Sequence, residues 1–564
     1  MRWWRRAWPY SAYAQLLRRS LGRWAERSVV AAPIAVVCAA VARVAGNTFV
    51  SYLSPAMRLA VPALVFVLVL LMGLLPQAYG RSWRAPWHGA LVALLLCGLS
   101  WPLWNRPSNE ALVSVAADSR KVPRIILLVV DTLRRDAVSA FGGEVKTPEM
   151  DRLASDSVVF TNAYSPAPWT FPAVVSLMTG VHPFVHGGLR PYRVIPPMLP
   201  TLAELLAEQG YAAHSIGHNP FLGDLRGLGT GGQRGFPAPR FAPRAQGPHL
   251  LVSPWMYEVF HRELSSYFTT REIGDMASDW IGGTQESDFF LWVHFFDPHL
   301  PLRPESEYLR RTRGEDSPWT SLEYRDIAEQ KGRLAEQASA IRDLYSAEVL
   351  GVDAAIGNIL ETLRENGLYE DSLIILTSDH GEEFWEHGGM EHGHTLYNEL
   401  LAVPLLIKLP AGQGYTVVED AVSISDVFPT VLEMVGTEFD STMLTARDLA
   451  PYWSRDSEQL QARPIVSTGI DGSRQADAVL FDGYKYIRWR RSGREELYDL
   501  GQDAAEANNV AVAYPELAQR GAALIEKQKD DADDLRQRWG LHANHERDFD
   551  QTGLHILRTL GYLK

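Results

Sequence analysis

Cysteine is scarce. The 564-residue chain has two, Cys38 and Cys97, and both lie inside apolar runs near its start. Beyond residue 104 there is none, which excludes a disulfide framework and a thiolate nucleophile from the large remaining part. No internal repeat and no low-complexity tract occurs, so repeat architectures are excluded as well. An excess of positive charge is also missing. The chain carries −13 with His neutral, and such an acidic balance argues against a nucleic-acid partner.

The positive charge that is present gathers at the N-terminus. Residues 1–27 hold Arg2, Arg5, Arg6, Arg18, Arg19, Arg23 and Arg27 against one acid, Glu26. Three apolar runs follow, near Val29–Val50, Leu59–Leu75 and Gly89–Trp104. Each is close to the length that crosses a bilayer, and their recurrence fits poorly with a cleaved signal peptide. Arg81 and Arg84 lie between the second and third runs. The positive-inside rule then puts residues 1–27 in the cytoplasm as a basic segment, about three membrane helices in 28–104, and the rest outside. The first run is interrupted by Arg43, and two spans would invert that topology. The expected localisation is multi-pass membrane with an extracytoplasmic (periplasmic or extracellular) catalytic domain.

Residues 105–121 are polar and unpatterned and read as a tether. Ile125–Val130 is a continuous aliphatic run, as expected for a buried parallel strand, and it ends on Asp131. Further strands are expected over Ser157–Tyr164, Tyr211–Gly217, Phe289–Phe296, Leu373–Thr377 and Val403–Lys408. Helices are expected over Thr147–Ser155, Leu202–Gly210 and Ala335–Asn366, with a long Gly-, Pro- and Arg-rich loop at 223–250. This alternation indicates an α/β fold, a large doubly wound, mostly parallel sheet over 122–436. Residues 437–564 read as a smaller α+β subdomain, with short strands in Ala478–Trp489 and Glu496–Leu500 and a helix over Pro515–Leu535.

Chemistry concentrates at the strand ends. Asp131, and Asp379 followed by His380, close two buried strands, where open α/β sheets place ligands. Thr170 opens the stretch TFPAVVSLMTG, whose Pro172 and unbroken apolar residues mark a helix start. Free N–H groups and the helix dipole favour an anion there. A capping Thr and turn-capping acids would explain each residue singly. Jointly, two carboxylates, an imidazole and a hydroxyl can hold one divalent cation and turn Thr170 into an alkoxide nucleophile. The imidazole favours zinc or manganese, with calcium or magnesium possible.

These residues sit in VVDTLRRD (129–136), TPEMDRLA (147–154), TFPAVVSLMTG (170–180), HFFDPHLP (294–301), TSDHGEEFWEHG (377–388), HGHTLYNELLAVPLL (392–406) and SDVFPTVLEMVG (425–436). ELYDL (496–500) and LGYL (560–563) follow. In this order the pieces resemble the sulfatase family within the alkaline phosphatase superfamily, over about 122–564. The resemblance implies the family fold and a metal site carried by Asp131, Thr170, Asp379 and His380. It places His299 and His392 against the transferred or the leaving group, with His394 a near alternative and His387 a more distant one. His186, Asp426 and Tyr498 match family positions but read as structural.

The departures bear on the chemistry. Sulfatases proper carry Cys or Ser in a C/S-x-P-S-R pattern, converted to formylglycine. Here Thr170 holds that position, and Ala173 and Val174 replace the Ser and Arg. The Gly-Lys-Trp-His-Leu-Gly block reads Gly217-His218-Asn219-Pro220-Phe221-Leu222-Gly223, without its Lys. No formylglycine is expected. The implied activity is hydrolysis, or transfer, of an anionic phosphoester or phosphodiester through a covalent Thr170 intermediate. A sulfuric ester hydrolase, a lipid-headgroup phosphotransferase and an inactive extracytoplasmic scaffold are the alternatives.

Overall fold

The computed structural model describes residues 122–541, apart from 189–194, 223–268, 314–318, 412–414, 454–461, 470–474 and the positions 123, 197, 218, 220, 221, 324, 325, 328 and 330–332. The chain divides into two units, Met1–Ser108 and Asn109–Lys564, and every described residue belongs to the second. The expected basic segment, membrane spans and tether, the loop 223–250 and LGYL (560–563) lie outside the described residues. Among the described residues no helix is long and apolar enough to cross a membrane.

The main sheet grows from strands whose residues are apolar on both faces. β1 (Arg124–Val130), β2 (Val158–Phe160), β4 (Ala212–Gly217), β5 (Phe289–Phe295), β6 (Ser372–Ser378), β10 (Leu405–Lys408) and β11 (Thr416–Val418) lie in the order β11-β2-β10-β6-β1-β5-β4. On one face, Ile125, Leu127 and Val129 pack with the helices Thr170–Thr179, Leu202–Glu208 and Val427–Val435. On the other, Ile126, Leu128 and Val130 pack with Pro148–Ser155, Thr270–Gly283 and the long helix Ala338–Glu365. Helices on both faces are what a run of fully apolar parallel strands requires.

β6, β1, β5 and β4 are mutually parallel, whereas β10 runs antiparallel to both β6 and β2. The sheet is therefore mostly parallel. Two expected strands are each divided. Val158–Phe160 stays in the main sheet while Ala163–Tyr164 (β3) joins a second sheet of order β12-β3-β9. In that sheet β9 (Ala402–Val403) and β12 (Val422–Ser423) flank it, and Pro404, which lacks an N–H, separates β9 from β10.

The chain after residue 437 forms a four-stranded antiparallel sheet: β13 (Ile465–Thr468), β14 (Ala476–Phe481), β15 (Tyr484–Trp489) and β16 (Glu495–Asp499). The helix Pro515–Arg538 packs against it. The expected single run Ala478–Trp489 is a hairpin. Asp482 and Gly483 turn it with φ of 49° and 81°, the left-handed pair that a two-residue hairpin loop needs.

Candidate active site

Parallel pairing brings the functional residues to one edge. Val129 is in register with His294 on β5 and Thr377 on β6, and Val130 with Ser378, so Asp131 and Asp379 emerge side by side. Asp379 Oδ1 accepts from the N–H groups of Thr132 (3.3 Å) and His380 (2.9 Å). Asp131 Oδ2 accepts from Asn219 Nδ2 at 2.6 Å. The other oxygens, Asp131 Oδ1 and Asp379 Oδ2, are buried with no hydrogen-bond partner among the described residues.

Thr170 is the first residue of its helix, and the N-cap, Trp169, contributes no side-chain cap. The helix is buried along its whole length and ends at Gly180 in the left-handed region, φ 68°. Its N-terminus thus faces the strand ends, and Thr170 Oγ1 lies 3.3 Å from His380 Nε2. His380 Nδ1–H donates to the Gly381 carbonyl (2.8 Å), so in the neutral ring Nε2 carries a lone pair. That nitrogen stands 3.5 Å from Asp131 Oδ1 and 3.6 Å from Asp379 Oδ2.

Three acceptors therefore converge in a fully buried space where Thr170 supplies a single hydroxyl proton. Burial, and then the neighbouring Asp379, raises Asp131 well above the usual carboxylate range. Burial pushes Asp379 up to about 7. Burial and the nearby His392 hold His380 well below the usual imidazole value. Such a set is costly as it stands and is relieved by a cation. The residues present therefore fit a divalent metal. Asp131, His294 and Asp379 bring ligand atoms within 4.8 Å of one another, a group that includes the unexpected His294 and leaves out the expected His380.

His294 was not singled out from the sequence. It interrupts the apolar strand Phe289–Phe295 on the face shared by Phe290 and Trp292, which pack with the Thr170–Thr179 layer. A lone imidazole inside an otherwise apolar strand was the available signal. Asn219 and Glu382 were missed as well.

The expected histidines separate into two groups. The His392 ring lies 4.5 Å from that of His380 and 4.8 Å from that of His299. His299 Nδ1–H donates to the Leu300 carbonyl at 2.5 Å, and burial with the nearby His392 pushes it down to about 4. Burial likewise pushes His392 to about 4. His394 Nε2–H instead donates to Glu383 at 2.8 Å, and His387 stacks on Tyr397 and donates to Glu399 at 2.6 Å. Both line a cavity of about 1300 Å³ beside the antiparallel sheet. Three of its arginines pair with acids, Arg134 with Asp136 and Glu386, Arg342 with Glu386, and Arg494 with Glu496, while Arg135 donates to the Thr161 carbonyl and to Asn162. Asp131, Thr170, Asp379 and His380 are not part of that lining and gather in the smaller polar cluster at the strand ends.

His186 meets Ser176 at 3.1 Å. Asp426 stands at the N-cap position of the helix Val427–Val435 without a side-chain bond to it; it accepts from Ser423 N and Arg447 N and pairs with Arg463. Tyr498 donates to Glu496 at 3.2 Å.

A family model described as Sulfatase matches residues 123–437. The chain is 26% identical over 435 residues to a protein of Formosa agariphila named Sulfatase, covering 69% of this chain and 83% of that one. It is 27% identical over 401 residues to the multifunctional alkaline phosphatase superfamily protein PehA of Trinickia caryophylli, covering 58% and 76%. Most of the curated relatives are named sulfatases. The crystal structure of the phosphonate monoester hydrolase of Agrobacterium radiobacter superposes with a TM-score of 0.57 at 21% identity, over 73% of this chain and 96% of that one.

Proposed function

The chain belongs to the sulfatase family, and on that premise we propose that it is a metal-dependent hydrolase of phosphoesters or phosphodiesters that works through a covalent intermediate on Thr170. The observation that carries this reading is the Thr170 hydroxyl at a buried helix N-terminus, 3.3 Å from His380 Nε2. Asp131, Asp379, His380 and His294 would hold the cation, zinc or manganese by the mixture of imidazole and carboxylate. Bound there, it would lower the pKa of the Thr170 hydroxyl and offset the charge of an anionic ester.

The chain's own groups do the rest. Thr170 Oγ attacks phosphorus, the Oγ–P bond forms, and the bond to the leaving oxygen breaks. The helix N-terminus stabilises the charge on the phosphoryl oxygens. Water then attacks phosphorus and restores the threonine hydroxyl. A different acceptor in that second half, such as a lipid headgroup, would make the enzyme a transferase. Threonine cannot form the aldehyde hydrate through which sulfatases proper expel sulfate, and this favours phosphorus over sulfur.

The names of the relatives favour a sulfuric ester hydrolase as the second reading. Matched aryl phosphodiester, phosphonate, phosphomonoester and sulfate substrates decide between them. Phosphorus esters should turn over well above the sulfate, and intact-protein mass spectrometry during turnover should show an adduct on Thr170. Equal or faster cleavage of the sulfate overturns the proposal. The N-terminal arginine asymmetry further supports an extracytoplasmic site on a three-span anchor. A reporter active only outside the cytoplasm, fused after Lys564, should be active, and a silent, well-expressed fusion would sink that topology.

A further inference from the structure

We propose that Glu382 is the positioning residue for His392, taking Nδ1 of that imidazole and so leaving Nε2 to meet the leaving oxygen of the ester. The inference rests on the reading of Thr170 as nucleophile. It starts from a short hairpin. β7 (Glu383–Phe384) pairs antiparallel with β8 (Met390–Glu391), with Glu383 opposite Glu391 and Phe384 opposite Met390. One step further along that register, Glu382 stands opposite His392. His392 Nδ1 lies 3.1 Å from Glu382 Oε1.

The two consecutive acids sort two histidines. Glu382 is 1% exposed and holds His392, whose ring lies beside those of His380 and His299. Glu383 accepts from the N–H groups of His387 (3.1 Å) and Gly389 (2.6 Å) and holds His394 on the wall of the large cavity. Glu382 is itself pinned from behind. Arg134 Nη1 donates to its carbonyl at 3.0 Å, and Arg134 is braced by Asp136 and Glu386. The carboxylate is thus presented by a fixed backbone. Its second oxygen, Oε2, is buried with no hydrogen-bond partner among the described residues, an arrangement that packing alone does not call for.

A carboxylate on one ring nitrogen fixes the tautomer, orients the ring and raises the proton affinity of the other nitrogen. With Nδ1–H committed to Glu382, His392 can offer only Nε2 to substrate. Nε2 takes the proton that the Thr170 hydroxyl releases as its oxygen bonds phosphorus and passes it to the oxygen that leaves, while Nδ1–H stays with the carboxylate. The demand for that proton is greatest when the leaving alkoxide or phenoxide is basic, and small for p-nitrophenoxide.

The test uses the full chain, wild type and Glu382→Gln, with matched phenyl and p-nitrophenyl phosphodiesters, and the same pair of sulfates in parallel. The variant should lose about 10²-fold in kcat on the phenyl ester and under about 10-fold on the p-nitrophenyl ester, with KM and metal content unchanged. Equal losses on both esters, unchanged rates on both, or loss of metal would overturn the assignment. A second readout does not need turnover. In histidine-selectively ¹⁵N-labelled protein, His392 should be Nδ1-protonated in the wild type and a mixture of tautomers in Glu382→Ala. An unchanged tautomer there overturns the proposal. Wild-type inactivity on both ester classes would instead overturn the functional reading, with the ¹⁵N result still deciding Glu382.

Discussion

Two sheets in this chain bury charged groups, and they treat them in opposite ways. In the antiparallel sheet the buried strand acids Asp477 and Glu496 are answered. Asp477 meets Arg490, Lys529 and Thr468. Glu496 accepts from Tyr397, Tyr498 and Trp489, and Lys485 sits between Glu506 and Asn398. Burial alone would raise Asp477, yet Arg490 and Lys529 hold it below its usual value. At the edge of the parallel sheet the equally buried Asp379 is pushed up to about 7, and one oxygen each of Asp131 and Asp379 has no hydrogen-bond partner among the described residues. Closed networks stabilise a scaffold, whereas an open cluster of buried acceptors is relieved by a cation.

The sharpest way to break this contrast is to remove the proposed nucleophile. Thr170→Ala should lose about 10⁴-fold or more in kcat, as removal of a covalent nucleophile does elsewhere. Thr170→Ser should keep part of the activity because the hydroxyl remains. An alanine variant within tenfold of wild type would place the chemistry elsewhere. Next in size, His392→Ala and His299→Ala should each lose about 10²–10⁴ in turnover while metal analysis shows the ion retained. Chelation should abolish activity, with zinc or manganese restoring it better than calcium. Wild-type rates in both histidine variants would return the pair to the scaffold.

The contrast also predicts opposite signs in stability. Lys485→Met strands Glu506 in the interior, and breaking a buried pair by removing one partner costs about 3–5 kcal/mol. Adding Glu506→Gln should recover much of that. Asp379→Asn, compared in metal-stripped protein, should cost little or raise the denaturation midpoint, since it removes a buried charge whose partner is the missing cation. A large loss in the stripped Asp379 variant would show that the cluster is structural.

Much of the open cluster was legible in the sequence because an acid that ends a wholly apolar strand has few structural reasons to be there. Asp131, Asp379 and His380 carried that signal, and Thr170 carried it through the helix start at Pro172. His294 did not, since one imidazole inside Phe289–Phe295 reads as part of the run until its register with Val129 is known. Glu382 was hidden in a pair of adjacent acids whose opposite directions depend on the hairpin Glu383–Glu391. Asn219 lay in a block read for its missing Lys. In the fold, the direction of β10 was illegible because a short apolar strand reads the same either way. The Asp482-Gly483 turn was visible as a dipeptide but lost within apolar flanks.

The smallest expected effect concerns the layer beneath the helix Thr170–Thr179, where closure is achieved by neutral histidines. His182 accepts from Phe184 N–H through Nδ1 and donates to the Val466 carbonyl (3.1 Å), and His186 accepts from Gly188 N–H and meets Ser176. Burial pushes His182 down to about 4, and burial with the neighbouring His182 pushes His186 to about 3. In the unfolded chain both return to about 6.5. Between about pH 4 and 6.5 the unfolded state therefore binds more protons than the folded state, so stability rises with pH across that window. The contribution is complete above 6.5 and is lost as pH falls toward 4 and below. Chemical denaturation at a series of pH values should show that slope, and His182→Asn, which keeps an acceptor for Phe184 N–H, should reduce it. A variant with the wild-type slope would mean that His182 is already charged in the fold, contrary to its burial between a backbone donor and a backbone carbonyl.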